Sequence, residues 1–274
     1  MAVTVQGAAL TEQHRQLQAA RAAALYMLVY QHWQRIFDPG NPVQTAEQWV
    51  ARVLPLIVAA NGRSAALSRA YLSTFRTLEL GRLEPFTPAP IKLIPEEQVR
   101  TSLWVTGPVA LNKKLEKISG LDISPALEKS LLADAVDEAG QQAAGAALKH
   151  AVAGSRDQIK EAAREDRTAL GWMRVAKPDA CYFCQMLVSR GPVYDKESFA
   201  DSNSFFTGEG VSKAHDNCAC TLQPVYSRKD KGNDQTQAMS DLWATSTAGK
   251  SGKEAILAFR RAYEGRAATL EASE

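Results

Sequence analysis

The sequence predicts a mainly α-helical fold, with long helices followed by a small irregular α+β unit near the C-terminus. Three observations carry this expectation. Apolar residues recur three and four positions apart through most of the first 165 residues, the spacing that lines one face of an α-helix. Composition changes at Gly171, beyond which glycines and short β-like runs replace an alanine-rich pattern. All four cysteines fall within the 40 residues from Cys181 to Cys220.

The helical part divides at its prolines. From Thr11 to Phe37 the residues Leu17, Ala20, Ala24, Leu28 and Ile36 form an apolar stripe after a loose start over 1–10. Asp38-Pro39-Gly40-Asn41-Pro42 ends this helix. A second helical region runs from Thr45 to about Leu80, with Thr45 as N-cap and Gln48 three residues on. Pro55 and the Asn61-Gly62 pair are expected to kink or divide it, and Leu67, Tyr71, Phe75 and Leu78 line its core face. Residues 81–95, with Pro85, Pro88, Pro90 and Pro95, read as an extended linker. Gln98–Lys117 is helical in part, around Gly107-Pro108. Ser124 caps a long helix to about Thr168, rich in alanine and ending in a charged, solvated face from Arg156 to Arg167. Arg228–Ser251 is polar and weakly patterned, and a last helix covers 252–272 with Ile256, Phe259 and Tyr263 on one side. The units expected are a helical domain over 1–168, a knuckle domain over 169–227 and a polar tail over 228–274 with a terminal helix.

The chain has 274 residues, enough for one large domain or two ordinary ones. Its formal net charge of +2 gives no bulk electrostatic reason to bind nucleic acid. Met1–Leu10 lacks a charged segment followed by an apolar run, and the most apolar run, Ala22–Tyr30, is too short to cross a bilayer. A soluble chain made in the cytoplasm is therefore expected.

In such a chain one tight cysteine cluster reads as a metal site or a redox motif. Cys181-Tyr-Phe-Cys184 is followed thirty residues later by His215-Asp-Asn-Cys218-Ala-Cys220. A two-residue gap lets both sulfurs of a CxxC pair converge on one ion, and zinc takes four N or S ligands in a tetrahedron. A second pair from a distant segment staples a long loop that is poor in large apolar residues, so metal binding would carry much of the local folding free energy. Five side chains, Cys181, Cys184, His215, Cys218 and Cys220, compete for four places. Cys181 and Cys184 are the firmest candidates. Cys218 and Cys220 reach one ion together only if the backbone turns there; otherwise Cys220 replaces a neighbour or stays a buried thiol. Four such ligands leave no open position, so the zinc would be structural. The alternatives are a thioredoxin-like motif, which lacks its βαβ context, disulfides between the pairs under oxidising conditions, or a histidine that only hydrogen-bonds.

Around these residues, Trp172-Met-Arg-Val175, Asp179-Ala-Cys-Tyr-Phe-Cys184, Ser189-Arg-Gly-Pro-Val-Tyr194, His215-Asp-Asn-Cys-Ala-Cys220 and Pro224-Val-Tyr226, the sequence resembles the MuF-like minor head proteins of tailed bacteriophages. The likeness is closest to the branch from phages of actinobacteria often labelled capsid maturation protease. It is specific over 170–226 and agrees only in layout over the helical part. The family pattern carries a basic residue inside the last Cys-x-Cys, where this chain has Ala219. The resemblance implies a minor capsid protein of head morphogenesis, inside the virion head near the portal. Its implied partners are the portal, the scaffold or the major capsid protein, with weak contact to packaged DNA.

The protease label implies a nucleophile, a base and an oxyanion hole. Of the histidines, His14, His32 and His150 lie in predicted helices, and His215 is claimed by the metal. Neither a GxSxG elbow nor an HExxH motif is present. A serine such as Ser189 or Ser212 paired with His215 is the protease arrangement weighed against this; a structural role is expected and a capsid maturation protease is the alternative. Near the knuckle Arg174, Lys177, Arg190 and Lys213 are balanced by Asp179, Asp195, Glu197 and Asp201, which argues against specific DNA recognition.

Overall fold

The computed structural model describes residues 3–81, 86–193 and 217–271, with side chains as far as 266. The order is α1 (Val5–Ile36), α2 (Pro42–Leu80), α3 (Glu96–Trp104), a π-helical turn (Val105–Val109), α4 (Ala110–Ser119), α5 (Pro125–Glu165), β1 (Gly171–Val175), α6 (Tyr182–Val188), β2 (Thr221–Val225), α7 (Asp234–Ser246) and α8 (Gly252–Glu271). The protein is mainly helical, as expected. Its only sheet among the described residues is β1 paired antiparallel with β2, Met173 opposite Gln223.

Helix α5 is the axis of the molecule. Ser124 caps it by accepting from Leu127 N, and Pro125 occupies the first turn, where a missing N–H costs nothing. Its middle is buried on almost every side: Ala139, Ala143, Ala144, Ala146 and Ala147 have no exposed surface. Small side chains let α1, α2 and the π turn approach together. At Gly140 an added Cβ would stand 2.7 Å from Trp33 Nε1. The indole uses that space to stack on Phe37, meet Trp49 edge-on and donate to Val136 O at 3.0 Å. Val29, Trp49, Val53, Ile57, Val99 and Leu103 complete this core. Helix α2 has the length and a mean hydropathy of 1.2 that a membrane span would show, with 39% of that apolar window buried, and Trp49, Val50, Val53 and Ile57 place its buried face in this core.

Several local expectations are corrected. The first helix begins at Val5, because Thr4 caps it and the Glu79 carboxylate accepts from both Thr4 N and Thr4 Oγ1. Its buried face is Thr11, His14, Gln18, Ala22, Leu25, Val29 and Trp33. Leu17 and Leu28 face outward, 42% and 39% exposed. The first half of that buried face is instead polar and bonded to α2, although His14 Nδ1 has no partner among the described residues. Thr11 bonds Tyr71 Oη at 2.8 Å, His14 Nε2 bonds Ser68 Oγ at 2.9 Å, and Gln18 exchanges bonds with Ser64.

Helix α2 starts at Pro42 and runs unbroken. Thr45 Oγ1 donates back to Asn41 O rather than capping. Pro55 lies exposed on the solvent side, where the loss of one helical hydrogen bond is least costly because water can replace it. Asn61 is buried inside the helix and donates to His150 O at 2.8 Å, tying α2 to α5. Residues 86–95 carry no regular structure, as expected of a linker; Pro85 lies outside the described residues. The segment from Arg156 to Arg167 is not a solvated face, because Arg156, Gln158, Ile159 and Asp166 are all buried. Asp166 pairs with Arg76 at 2.9 Å and accepts from Thr168 N. The stretch after Arg228 contains α7, capped by Asn233, whose side chain accepts from Thr236 N. Met239 from α7 and Phe259 from α8 pack on Met186 and Leu187 of α6, and Tyr263 donates to Ala180 O at 2.7 Å.

Candidate metal centre

The centre is built by the sheet and its two exits. Trp172 on β1 and Leu222 on β2 pack with Tyr71, Phe75 and Ile159, which fixes the two-stranded sheet to α2 and α5. Beyond β1 the chain turns at Lys177–Ala180 and enters α6, with Cys181 at its N-cap position and Cys184 in its first turn. The other cysteines lie just before β2. Asn217 adopts φ 64°, a left-handed conformation that asparagine tolerates better than most residues. Its N–H donates to Gly145 O at 3.1 Å. A Cβ on Gly145 would stand 2.5 Å from Asn217 Oδ1, so a glycine on α5 makes room for the turn. This is the backbone turn that Cys218 and Cys220 need to share one ion.

The sulfurs of Cys184, Cys218 and Cys220 all lie within 4.8 Å of one another. Cys184 and Cys218 are 3.6 Å apart, and Cys218 and Cys220 are 3.1 Å apart. Sulfurs bound to one tetrahedral zinc stand roughly 3.8 Å apart, from a Zn–S bond of about 2.3 Å, so the three need to spread only slightly. All three are buried, with Ala176, Ala180 and Val188 around them. Three soft, buried and converging donors can hold a metal ion.

The charge within the cluster is uneven. Hydrogen bonds with Cys181, Cys218 and Cys220, together with burial, push the Cys184 thiol up. Cys184 lowers the Cys218 value, but the Cys220 contact and burial outweigh it and raise Cys218. Cys220 goes the opposite way. Hydrogen bonds from Cys184 and Cys218, with Arg174 and Arg156 nearby, overcome burial and hold it well below an ordinary thiol.

The five sequence candidates divide as follows. Cys184, Cys218 and Cys220 come together. Cys181 is exposed at the edge, hydrogen-bonded to Cys184. His215 lies outside the described residues, as does Ser212. Ser189 is buried at the end of α6, where its hydroxyl donates to Met186 O at 2.7 Å. Ala219 packs against Ala22, Leu148 and Val152 between α1 and α5, which gives a small apolar side chain a reason to stand where a basic one was expected. The role of two arginines was not foreseen. Arg174 Nη1 donates to Cys220 Sγ at 2.9 Å, and Arg156 donates to Cys220 O at 3.1 Å. The available signal was a lone cation in the middle of the apolar run Trp172-Met-Arg-Val175.

Comparison with known families matches residues 4–246 to the model described as VG15 protein. Searches of curated proteins and of solved structures gave no match.

Proposed function

This chain belongs to the VG15 protein family, a family of phage-encoded proteins, and from that premise we propose that it is a minor capsid protein of phage head morphogenesis, held inside the head near the portal. The carrying observation is the extent of the match, residues 4–246, which takes in both the helical body and the thiol cluster. The motif likeness to MuF-like minor head proteins narrows a phage protein to this role. The buried thiol trio supports a structural zinc in it, with Cys184, Cys218 and Cys220 as ligands and the fourth from Cys181 or His215. The zinc would supply no chemistry beyond fixing the knuckle on α5. The portal, scaffold or major capsid protein would be the partners, with packaged DNA in weak contact.

The test is made in an infecting phage that carries the gene. Mass spectrometry of purified virions and of DNA-free heads should detect the protein in both. Deleting the gene should cut the yield of infectious particles, with rescue by the wild type and not by Cys184→Ser. Absence from heads together with normal yield would remove the reading. Uncleaved head proteins in the deletion strain, processed by the purified chain, would favour the capsid maturation protease instead.

A further inference from the structure

We propose that Arg174, braced by Arg156, is a positioning residue that holds Cys220 as a metal-binding thiolate. The inference rests on the metal reading of the thiol cluster and adds to it a second layer of residues and a definite role for Cys220.

The argument begins in β1. The strand reads Gly171-Trp-Met-Arg-Val175, and every residue in it is buried. A guanidinium in such a strand loses its hydration, which is costly unless a negative or strongly accepting group replaces the water. Arg174 stands opposite Leu222 on β2. Cys220 lies two residues earlier on the same strand path, hence on the same face, within diagonal reach of a long side chain. The 2.9 Å contact from Arg174 Nη1 to Cys220 Sγ is short for a bond to sulfur. A guanidinium donor at this distance stabilises the thiolate form of Cys220 over the neutral thiol.

Arg156 fixes the other end of the same residue. It is 3% exposed, and its two terminal nitrogens donate to Cys220 O at 3.1 Å and to Lys149 O at 3.0 Å. One guanidinium therefore ties the Cys220 backbone to a carbonyl of α5, and the other grips its sulfur. A thiolate bound to zinc still carries negative charge, since three or four thiolates exceed the charge of one divalent ion. A donor to such a sulfur orients it and stabilises that excess, and removing a partner of this kind costs 10–100-fold in metal affinity. Cys220 is then an obligatory ligand rather than a spare buried thiol, and the site's affinity depends on a guanidinium that touches no metal.

The test uses the full chain, loaded with zinc or with cobalt(II) as a spectroscopic substitute. Zinc affinity is measured by chelator competition, and the sulfur-to-cobalt charge-transfer absorption reports the number of thiolates bound. Circular dichroism checks the fold. Arg174→Met should stay helical, bind zinc about 10–100-fold more weakly, and lose charge-transfer intensity per cobalt. Arg174→Lys should recover part of both. Cys220→Ser should give an equal or larger loss, and adding Arg174→Met to it should cost little more, because Arg174 acts through the sulfur already removed. A folded Arg174→Met with wild-type affinity and spectrum overturns the proposal, as do losses that simply multiply in the double variant. If Arg174→Met does not fold, Arg174→Lys decides by the same two readings. A wild-type chain that binds neither metal removes the metal reading itself, and the proposal with it.

Discussion

Gly154→Ala is a sharp test of how α5 organises this molecule. Alanine is the better helix former by about 1 kcal/mol, so in an isolated helix the change stabilises. Here the added Cβ would stand 2.9 Å from Asn61 C and 3.1 Å from Asn61 Nδ2, and closer still to the Asn61 carbonyl oxygen. The obstacle is backbone and cannot rotate away. Restoring an ordinary contact of about 3.5 Å with that oxygen requires α2 and α5 to part by roughly 1.4 Å. Overpacking of that kind costs about 1–3 kcal/mol. It also strains the 2.8 Å bond from Asn61 Nδ2 to His150 O, and a buried polar group left unsatisfied costs about 1–3 kcal/mol more. Set against the propensity gain, the expected net loss is about 1–5 kcal/mol, or about 2–20 °C in Tm for a chain of this size. Urea and thermal unfolding followed by far-ultraviolet circular dichroism measure it. Gly265→Ala in α8 is the control, since a Cβ there meets nothing within 4 Å among the described residues, and it should be neutral or stabilising by up to about 1 kcal/mol. Equal or greater stability of Gly154→Ala than wild type would refute the close α2–α5 packing.

Other outcomes follow from the same geometry. The reduced protein should carry about one zinc per chain, and Cys184→Ser should release it; elemental analysis showing the same metal content in both would exclude the thiol trio as the site. Gly145→Val should displace the Asn217 turn, whose Oδ1 would lie 2.5 Å from the first added carbon, and should weaken zinc binding while the helices stay folded; unchanged affinity would mean that the turn does not set the cluster. Burial pulls His14 down from 6.5 to about 4. The unfolded chain then takes up the proton first as pH falls, so stability present above pH 6.5 is lost down to about pH 4, by about 3 kcal/mol. Asp166, held low by Thr168 and Arg76 against the effect of burial, acts in the same direction at still lower pH. His14→Gln should flatten the fall in urea midpoint between pH 7 and pH 4.5, and equal slopes in both proteins would show that His14 is not the group responsible.

The helical character was legible because it is written locally. Ser124 followed by Pro125 reads as a helix start from sequence alone, and the alanine run after it reads as helix whatever surrounds it. The cysteines that could hold a metal were visible as a cluster in the sequence, but the CxxC spacing did not show that Cys181 lies exposed while Cys184 groups with Cys218 and Cys220. The inward face of α1 was not legible either, since periodicity finds leucines, and here Leu17 and Leu28 point outward while Thr11, His14 and Gln18 point in. Burying those three is tolerable only because Tyr71, Ser68 and Ser64 arrive from α2 to bond them.

The same distinction holds at the cluster. The sequence by itself determined which residue types can bind metal and that they come from two segments thirty residues apart. Only the tertiary structure decided that Cys218 and Cys220 converge, through a left-handed Asn217 seated on Gly145, and that Arg174 and Arg156 close on Cys220. Helix propensity and ligand chemistry belong to a few neighbouring residues. The burial of a charge or a polar side chain is stable only with a partner from elsewhere in the chain, and the fold supplies it.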